Sequence, residues 1–260
     1  MIQQAIGLTP TEVEQFRRDG YLVCHRQLFP EPKFRRMQET FERILANAPA
    51  GKKPEDLDVP HYAYPELFEW LLADEALDVV EPLVGPDIAL WSSHFIAKPP
   101  GKGRAVPWHE DSAYWKGMLD PQEVVTVWLA IDGSDRGNGC MRVIPGSHGH
   151  GFSDYEPVEH PEQNVFGSRI KADQFDELKA VDLELAPGEF HLHHAKEIHG
   201  SNPNTSDRRR CGYTMRYMSA AVKFYQDARR MRHQIYLARG RDRAGNSYGD
   251  PTRRWEEGIR

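Results

Sequence analysis

The stretch PWHEDSAYW, residues 107–115, sets His109 and Asp111 two positions apart among aromatic side chains. On a β-strand such a pair points to one face. An imidazole and a carboxylate converging there form either a structural hydrogen bond or two thirds of a metal site. H-x-D alone is a weak signal, because the pair arises by chance in many chains. A metal reading needs a third ligand. The segment FHLHHAKEIHGSNPNTSDRRR, residues 190–210, offers His191, His193, His194 and His199. Two histidines and one carboxylate on one face of a metal leave its other positions open. Non-heme Fe(II) oxygenases are built this way, and the open positions accept a chelating co-substrate and O₂. The same donors suit zinc. On the donors alone, a zinc hydrolase and a non-catalytic, cupin-like metal-binding sensor or binding module therefore stay open.

The elements that must position these residues follow from periodicity. Thr9-Pro10-Thr11-Glu12 reads as a capping box with proline at the first helical position, and Gly20 can end that helix. YLVCHRQL then reads as a short strand. Phe34, Met37, Phe41, Ile44 and Leu45 recur at helical spacing, and residues 65–85 read as one or two helices ending at Gly85. KKPEDLDVPHY, between these helices, reads as a polar loop. From about residue 87 the pattern changes to short β-like runs separated by Gly, Pro and Asn clusters: DIALWSSHFIAK, AVPWHED, EVVTVWLAID, MRVIPGSH, VDLELAPGEFHLHH and CGYTMRYMSAAV. This is the pattern of a sandwich or barrel, not of alternating βαβ units. The reading is a mainly β protein with flanking helices in one domain over 1–260. Residues 1–86 are mostly helical, 87–223 form the β core, and 224–260 are a basic segment of mixed helix and loop.

Composition narrows the partners. The chain has 260 residues, 33 basic and 39 acidic, for a formal net charge of −6. That balance disfavours general binding to nucleic acid or an anionic membrane, and with it a nucleic-acid demethylase, unless the arginine-rich tail forms a local basic groove. No apolar run approaches the about 20 residues of a membrane span. Cys24, Cys140 and Cys211 are odd in number and far apart, with no CxxC pair. The N-terminus lacks the basic-then-apolar order of a signal peptide. A soluble, cytoplasmic protein acting on a small molecule, an anionic one among the options, is expected.

Four segments in order, WHEDSAYW, VVTVWLAID, NGCMRVIPGSH and HGSNPNTSDRRR, resemble the phytanoyl-CoA dioxygenase family of Fe(II)- and 2-oxoglutarate-dependent oxygenases. The resemblance begins near Leu8 in LTPTEVEQFRRDGYLV and runs to Tyr217. It implies a double-stranded β-helix, the cupin-like jelly roll. It implies that His109, Asp111 and His199 bind Fe(II), and that Arg210, eleven residues past the distal histidine, holds the remote carboxylate of 2-oxoglutarate. A planar guanidinium suits that task better than lysine does, though Arg208 and Arg209 stand beside it. His94, Trp128 and Ser201 map onto further co-substrate contacts, and His94 replaces an apolar residue expected there. Glu110 stands where glutamine is frequent and should point away from the metal. Related halogenases replace the ligating carboxylate with a small residue to admit chloride. Asp111 therefore favours hydroxylation, with release of succinate and CO₂.

Other residues keep two readings. Trp108, Tyr114 and Trp115 are either β-core aromatics or walls of a substrate pocket, and His148 is a substrate or structural residue in the PGSHGHG loop. His191, His193 and His194 are expected to be strand or loop histidines with ordinary partners, not ligands. Cys140 and Cys211 are expected to be buried in strands.

Overall fold

The computed structural model describes residues 7–48, 57–226 and 232–256. Parts of the loop expected over 52–62 and of the arginine-rich tail lie outside the described residues. The first helix, α1 (Pro10–Asp19), starts with the reciprocal cap: the Thr9 hydroxyl accepts from the Glu12 N–H, and the Glu12 carboxylate accepts from the Thr9 N–H at 2.8 Å. Gly20 ends it in the left-handed region at φ 77°. Helix α2 (Glu31–Ala46) buries Phe34, Met37, Phe41 and Ile44 on one face. Helices α3 (Phe68–Leu71) and α4 (Asp74–Val84) precede Gly85, and a single turn, α5 (Asp111–Tyr114), lies within the β region.

The strands form two antiparallel sheets of a jelly roll. The major sheet contains β1 (Tyr21–Cys24), β2 (Leu57–Asp58), β3 (Ile88–Lys98), β6 (Val124–Ala130), β11 (Phe190–His194), β13 (Arg210–Ser219) and β15 (Tyr236–Arg239). Its order is β1-β11-β6-β13-β3-β15, with β2 also beside β3. The minor sheet has the order β10-β7-β12-β4, from β4 (Val106–His109), β7 (Met141–Val143), β10 (Val181–Leu183) and β12 (His199–Ser201). Two ribbons flank them: β5 (Leu119–Asp120) with β14 (Lys223–Phe224), and β8 (Tyr155–Pro157) with β9 (Ser168–Ile170).

Alternation along the major sheet divides its two faces. Val125, Val127 and Leu129 of β6, Phe190 and Leu192 of β11, and Tyr213, Met215 and Tyr217 of β13 join the apolar sides of α1, α2 and α4 in one buried cluster. The intervening residues Thr126, Trp128, His191, His193, Thr214 and Arg216 turn to the interior between the sheets. The largest hydrophobic cluster thus lies outside the roll, and the interior combines these polar residues with smaller apolar clusters, such as Tyr21 and Val23 against Met141, Val143 and Leu183.

Two expectations need correction. The tail was expected to be helix and loop, yet Tyr236–Arg239 is a strand on β3 at the sheet edge, where Tyr236 pairs with Leu90 and fills the core. The major sheet also draws β1, β2 and β15 from outside residues 87–223. Among the described residues, no helix is long and apolar enough to cross a membrane. All three cysteines are buried free thiols.

Candidate metal and co-substrate site

His109 ends β4 and His199 begins β12, and the two are direct partners across the minor sheet, with ring centroids 4.1 Å apart. The Nδ1 of His109 lies 2.8 Å from the Pro107 carbonyl, and that of His199 2.8 Å from the Glu197 carbonyl. A carbonyl only accepts, so each Nδ1 carries the hydrogen and each Nε2 keeps its lone pair. Both Nε2 atoms face Oδ1 of Asp111, at 3.8 and 4.0 Å. The three donor atoms lie within 4.8 Å of one another and all three residues are buried. Ligands about 2.1 Å from a common ion at right angles stand about 3 Å apart, so a small closing of side chains fits this set to a divalent metal.

Asp111 does not reach the site by strand alternation. The strand stops at His109, and Asp111 is the first residue of α5, fixed where the Ser112 N–H donates to the Ala195 carbonyl at 2.9 Å. Glu110, between them, is buried and turned to the 153–155 segment. Its carboxylate accepts from the Ser153 N–H at 2.6 Å, and its own N–H donates to the Tyr155 hydroxyl at 3.1 Å.

The electrostatics put each ligand in its metal-binding form. Burial brings His109 down to about 3, with the His199 ring adding to the effect. Burial likewise lowers His199. For Asp111 burial acts upward, but Arg216 and the surrounding histidines outweigh it and hold the carboxyl well below its usual range. At neutral pH both imidazoles are neutral and the carboxylate is ionised, as metal ligation requires.

Arg216 was not singled out from sequence. Its Nε donates to Oδ2 of Asp111 at 3.2 Å, and its Nη1 donates to the Thr214 hydroxyl at 3.1 Å. Oδ1 therefore faces the histidines while Oδ2 is gripped by the guanidinium. The signal that could have found it is the even spacing from Arg210, which puts both arginines on one face of β13. His193, expected to have ordinary partners, brings its Nε2 to 3.9 Å from the same Oδ2.

A polar trough runs from the triad along the major sheet. Arg216, Thr126 and His193 stand abreast on β13, β6 and β11, and Thr214, Trp128 and His191 form the next row. Trp128 lies flat over Gly212, where any Cβ would collide with the indole. His191 stacks on Trp128 with centroids 5.2 Å apart and planes 10° apart. Neither ring nitrogen of His191 has a hydrogen-bond partner, and the Thr126 hydroxyl and His193 Nδ1 also lack one.

Arg210 is buried at the far end of this trough, its guanidinium 5.6 Å from the Trp128 ring. Its Nε and Nη1 donate to the carbonyls of Gly139 and Ile96, both at 3.2 Å. Arg208 pairs with Asp135 at 2.6 Å, and Arg209 with Asp132 at 2.7 Å and with Glu42. Among the described residues, no carboxylate lies within ion-pair distance of Arg210. Burial brings its pKa down to about 10.

The remaining predicted residues separate into near and far. Ser201 shares the inward side of β12 with His199, because Gly200 between them packs on Trp108. His94 pairs with Thr214 across the sheet, its Nδ1 3.8 Å from Asp58. Tyr114 and Phe166 flank His109, with ring centroids at 6.0 and 5.0 Å, and Trp115 lies over the Arg216 guanidinium at 5.5 Å. Trp108 faces away: one residue before His109 on β4, it packs with Phe175 and Arg142 outside the minor sheet. His148 also lies away from the triad, between the Arg17 carbonyl and Glu197, whose carboxylate raises its pKa.

Residues 16–212 match the family model for phytanoyl-CoA dioxygenase. The chain belongs to that family. A probable alpha-ketoglutarate-dependent hypophosphite dioxygenase of Stutzerimonas stutzeri is 30% identical over 186 residues, 70% of this chain and 63% of that protein. The peroxisomal phytanoyl-CoA dioxygenase of Bos taurus is 26% identical over 209 residues, 76% of this chain and 59% of that protein. The chain thus spans about six tenths of the length of these two relatives. Among solved structures, the apo form of ThoJ, a non-heme monooxygenase, superposes with a TM-score of 0.70 at 27% identity, covering 88% of this chain and 84% of that one.

Proposed function

We propose that this protein is an Fe(II)- and 2-oxoglutarate-dependent dioxygenase that hydroxylates a C–H bond of a small molecule and releases succinate and CO₂. Family membership supports the cofactors, and the observation that carries the reading is Arg210. A buried guanidinium with no acid beside it is costly unless an anionic ligand completes it. A dicarboxylate lying along the trough would chelate the metal at one end and pair with Arg210 at the other.

In this reading His109 and His199 hold the metal through Nε2, and Asp111 through Oδ1. Arg216 orients the carboxylate. Trp128, His191 and Thr214 flank the middle of the co-substrate, with Ser201 and His94 at its margins. Fe(II), 2-oxoglutarate and O₂ together supply the oxidant. The chain's own residues position it, exclude water and keep each ligand in its metal-binding protonation state. The substrate enters past Tyr114 and Phe166. The ionised Asp111 occupies the position that a halogenase would leave to chloride.

Adding Fe(II) and then 2-oxoglutarate to anaerobic protein should produce a visible metal-to-ligand charge-transfer band. The band should be absent in Asp111→Ala, which should also form no succinate in air. Iron bound without any such band would sink the oxygenase reading and leave a metal-binding module in its place.

A further inference from the structure

A line of aromatic side chains leads from the site to the surface. The Trp115 ring lies over Arg216, which grips Asp111. Trp91, 1% exposed, meets Trp115 edge to face at 5.7 Å between centroids. His233 packs on Trp91 at 4.0 Å. The Tyr62 hydroxyl lies 3.2 Å from Nδ1 of His233, and Trp255 meets the Tyr62 ring at 4.7 Å. Trp255 is half-buried, so the line ends at solvent. Three of the six tryptophans stand on it.

Packing accounts for buried rings here but not for two details. The first is the Trp91 indole N–H, which is buried with no hydrogen-bond partner. A buried tryptophan ordinarily finds one, and leaving it unmade carries a cost that an apolar ring would not. The second is the tautomer of His233. Its Nε2 lies 2.7 Å from the Trp91 carbonyl, which only accepts, so Nε2 carries the hydrogen. Nδ1 then presents a lone pair to the Tyr62 hydroxyl, which also accepts from the Gln234 N–H at 3.0 Å and shares its proton with the Gln234 carbonyl at 3.1 Å. Every redox-active station is tryptophan or tyrosine, among the side chains most readily oxidised by one electron, and the phenol faces a base.

We infer that this line is an electron path that returns the site to Fe(II) when O₂ has been activated and no substrate bond consumes the oxidising equivalent. The inference rests on the oxygenase reading. Trp115 passes one electron toward the metal and takes one from Trp91. Trp91 takes one from Tyr62, whose phenolic proton moves to Nδ1 of His233. Trp255 then reduces Tyr62, the proton returns from His233, and a thiol or ascorbate in solution reduces Trp255. Two such passes, with two protons from solvent, convert the oxygen atom not incorporated into succinate to water.

The test is substrate-free turnover of the iron-loaded protein with 2-oxoglutarate, O₂ and ascorbate. Freeze-quench paramagnetic resonance, peptide mass mapping and succinate yield are read from the same samples. The native protein should give a phenoxyl signal that Tyr62→Phe removes and Trp91→Phe suppresses. Both variants should accumulate severalfold more oxidation on Trp115 and Tyr114 and inactivate after severalfold fewer succinates. Trp255→Phe, an aromatic change at the edge of the core, should remove the protection by ascorbate. Succinate formation with no phenoxyl signal, or with one oxidation map for all four proteins, would overturn the path while leaving the oxygenase reading intact. No succinate from the native protein would overturn both.

Discussion

Arg208, Arg209 and Arg210 are consecutive and chemically identical, yet only the last lacks an acidic partner among the described residues. Register makes the difference. Arg210 opens β13 with its side chain turned into the roll, while its neighbours reach acids in the 132–135 segment and α2. Arg210→Lys keeps a charge but loses the planar fork, and should weaken 2-oxoglutarate binding about 10- to 100-fold, the equivalent of about 1.5–3 kcal/mol for charge-assisted hydrogen bonds. Anaerobic titration of the charge-transfer band measures this, and unchanged affinity would remove Arg210 from the site. His109 and Asp111 were legible as a candidate pair, and the family resemblance added His199, which the structure brings beside them, and Arg210 as an expectation. Arg216 and His193 were not legible. Their contacts with Asp111 depend on the bend that carries Asp111 off β4, and no single-strand pattern reports that bend.

Two glycines hold elements at distances that a side chain would not allow. Gly212 admits the Trp128 indole against β13, and Gly20 admits the Glu197 carboxylate and His148 against the end of α1. Gly212→Val should tilt Trp128 into the trough and weaken 2-oxoglutarate binding more than it lowers stability. Gly20→Ala meets a left-handed φ of 77° as well as the clash, and should cost about 1–3 kcal/mol in thermal or denaturant unfolding. Because the Glu197 carbonyl orients His199, that variant should also bind Fe(II) less tightly. Melting curves of both variants, a 2-oxoglutarate titration of Gly212→Val and an iron titration of Gly20→Ala check these expectations, and the reverse pattern of losses would refute them. At this scale the sequence was most readable where signals are local, as in the capping box of α1 and the apolar stripe of α2. It was least readable in β15, a four-residue strand inside an arginine-rich tail. Its partner Leu90 is nearly 150 positions earlier, so pairing and not propensity makes it a strand.

For the whole molecule, several buried histidines make stability pH-dependent in one direction. Burial brings His61 and His109 to about 3 and His193 to about 4, and drives His191 well below its ordinary value. The unfolded chain binds protons at these positions below about pH 6.5, whereas the folded chain refuses them until far lower pH. Stability is therefore fully present above pH 6.5 and lost as pH falls, by up to about 1.4 kcal/mol per pH unit for each such histidine. Melting temperatures of the metal-free protein should hold from pH 8 to 7 and fall steadily from 6.5 to 4.5. A flat profile would mean that these rings take up protons without unfolding. The division of the major sheet adds a consequence of another kind. Residues of the largest apolar cluster point outward to the helices, and the polar residues of the trough point inward, on the same strands but at alternate positions. Substitutions on the inward side thus alter the trough while sparing the outward contacts with the helices. One scaffold of this design can acquire new substrates through successive inward changes, each of which leaves a foldable chain for selection to act on.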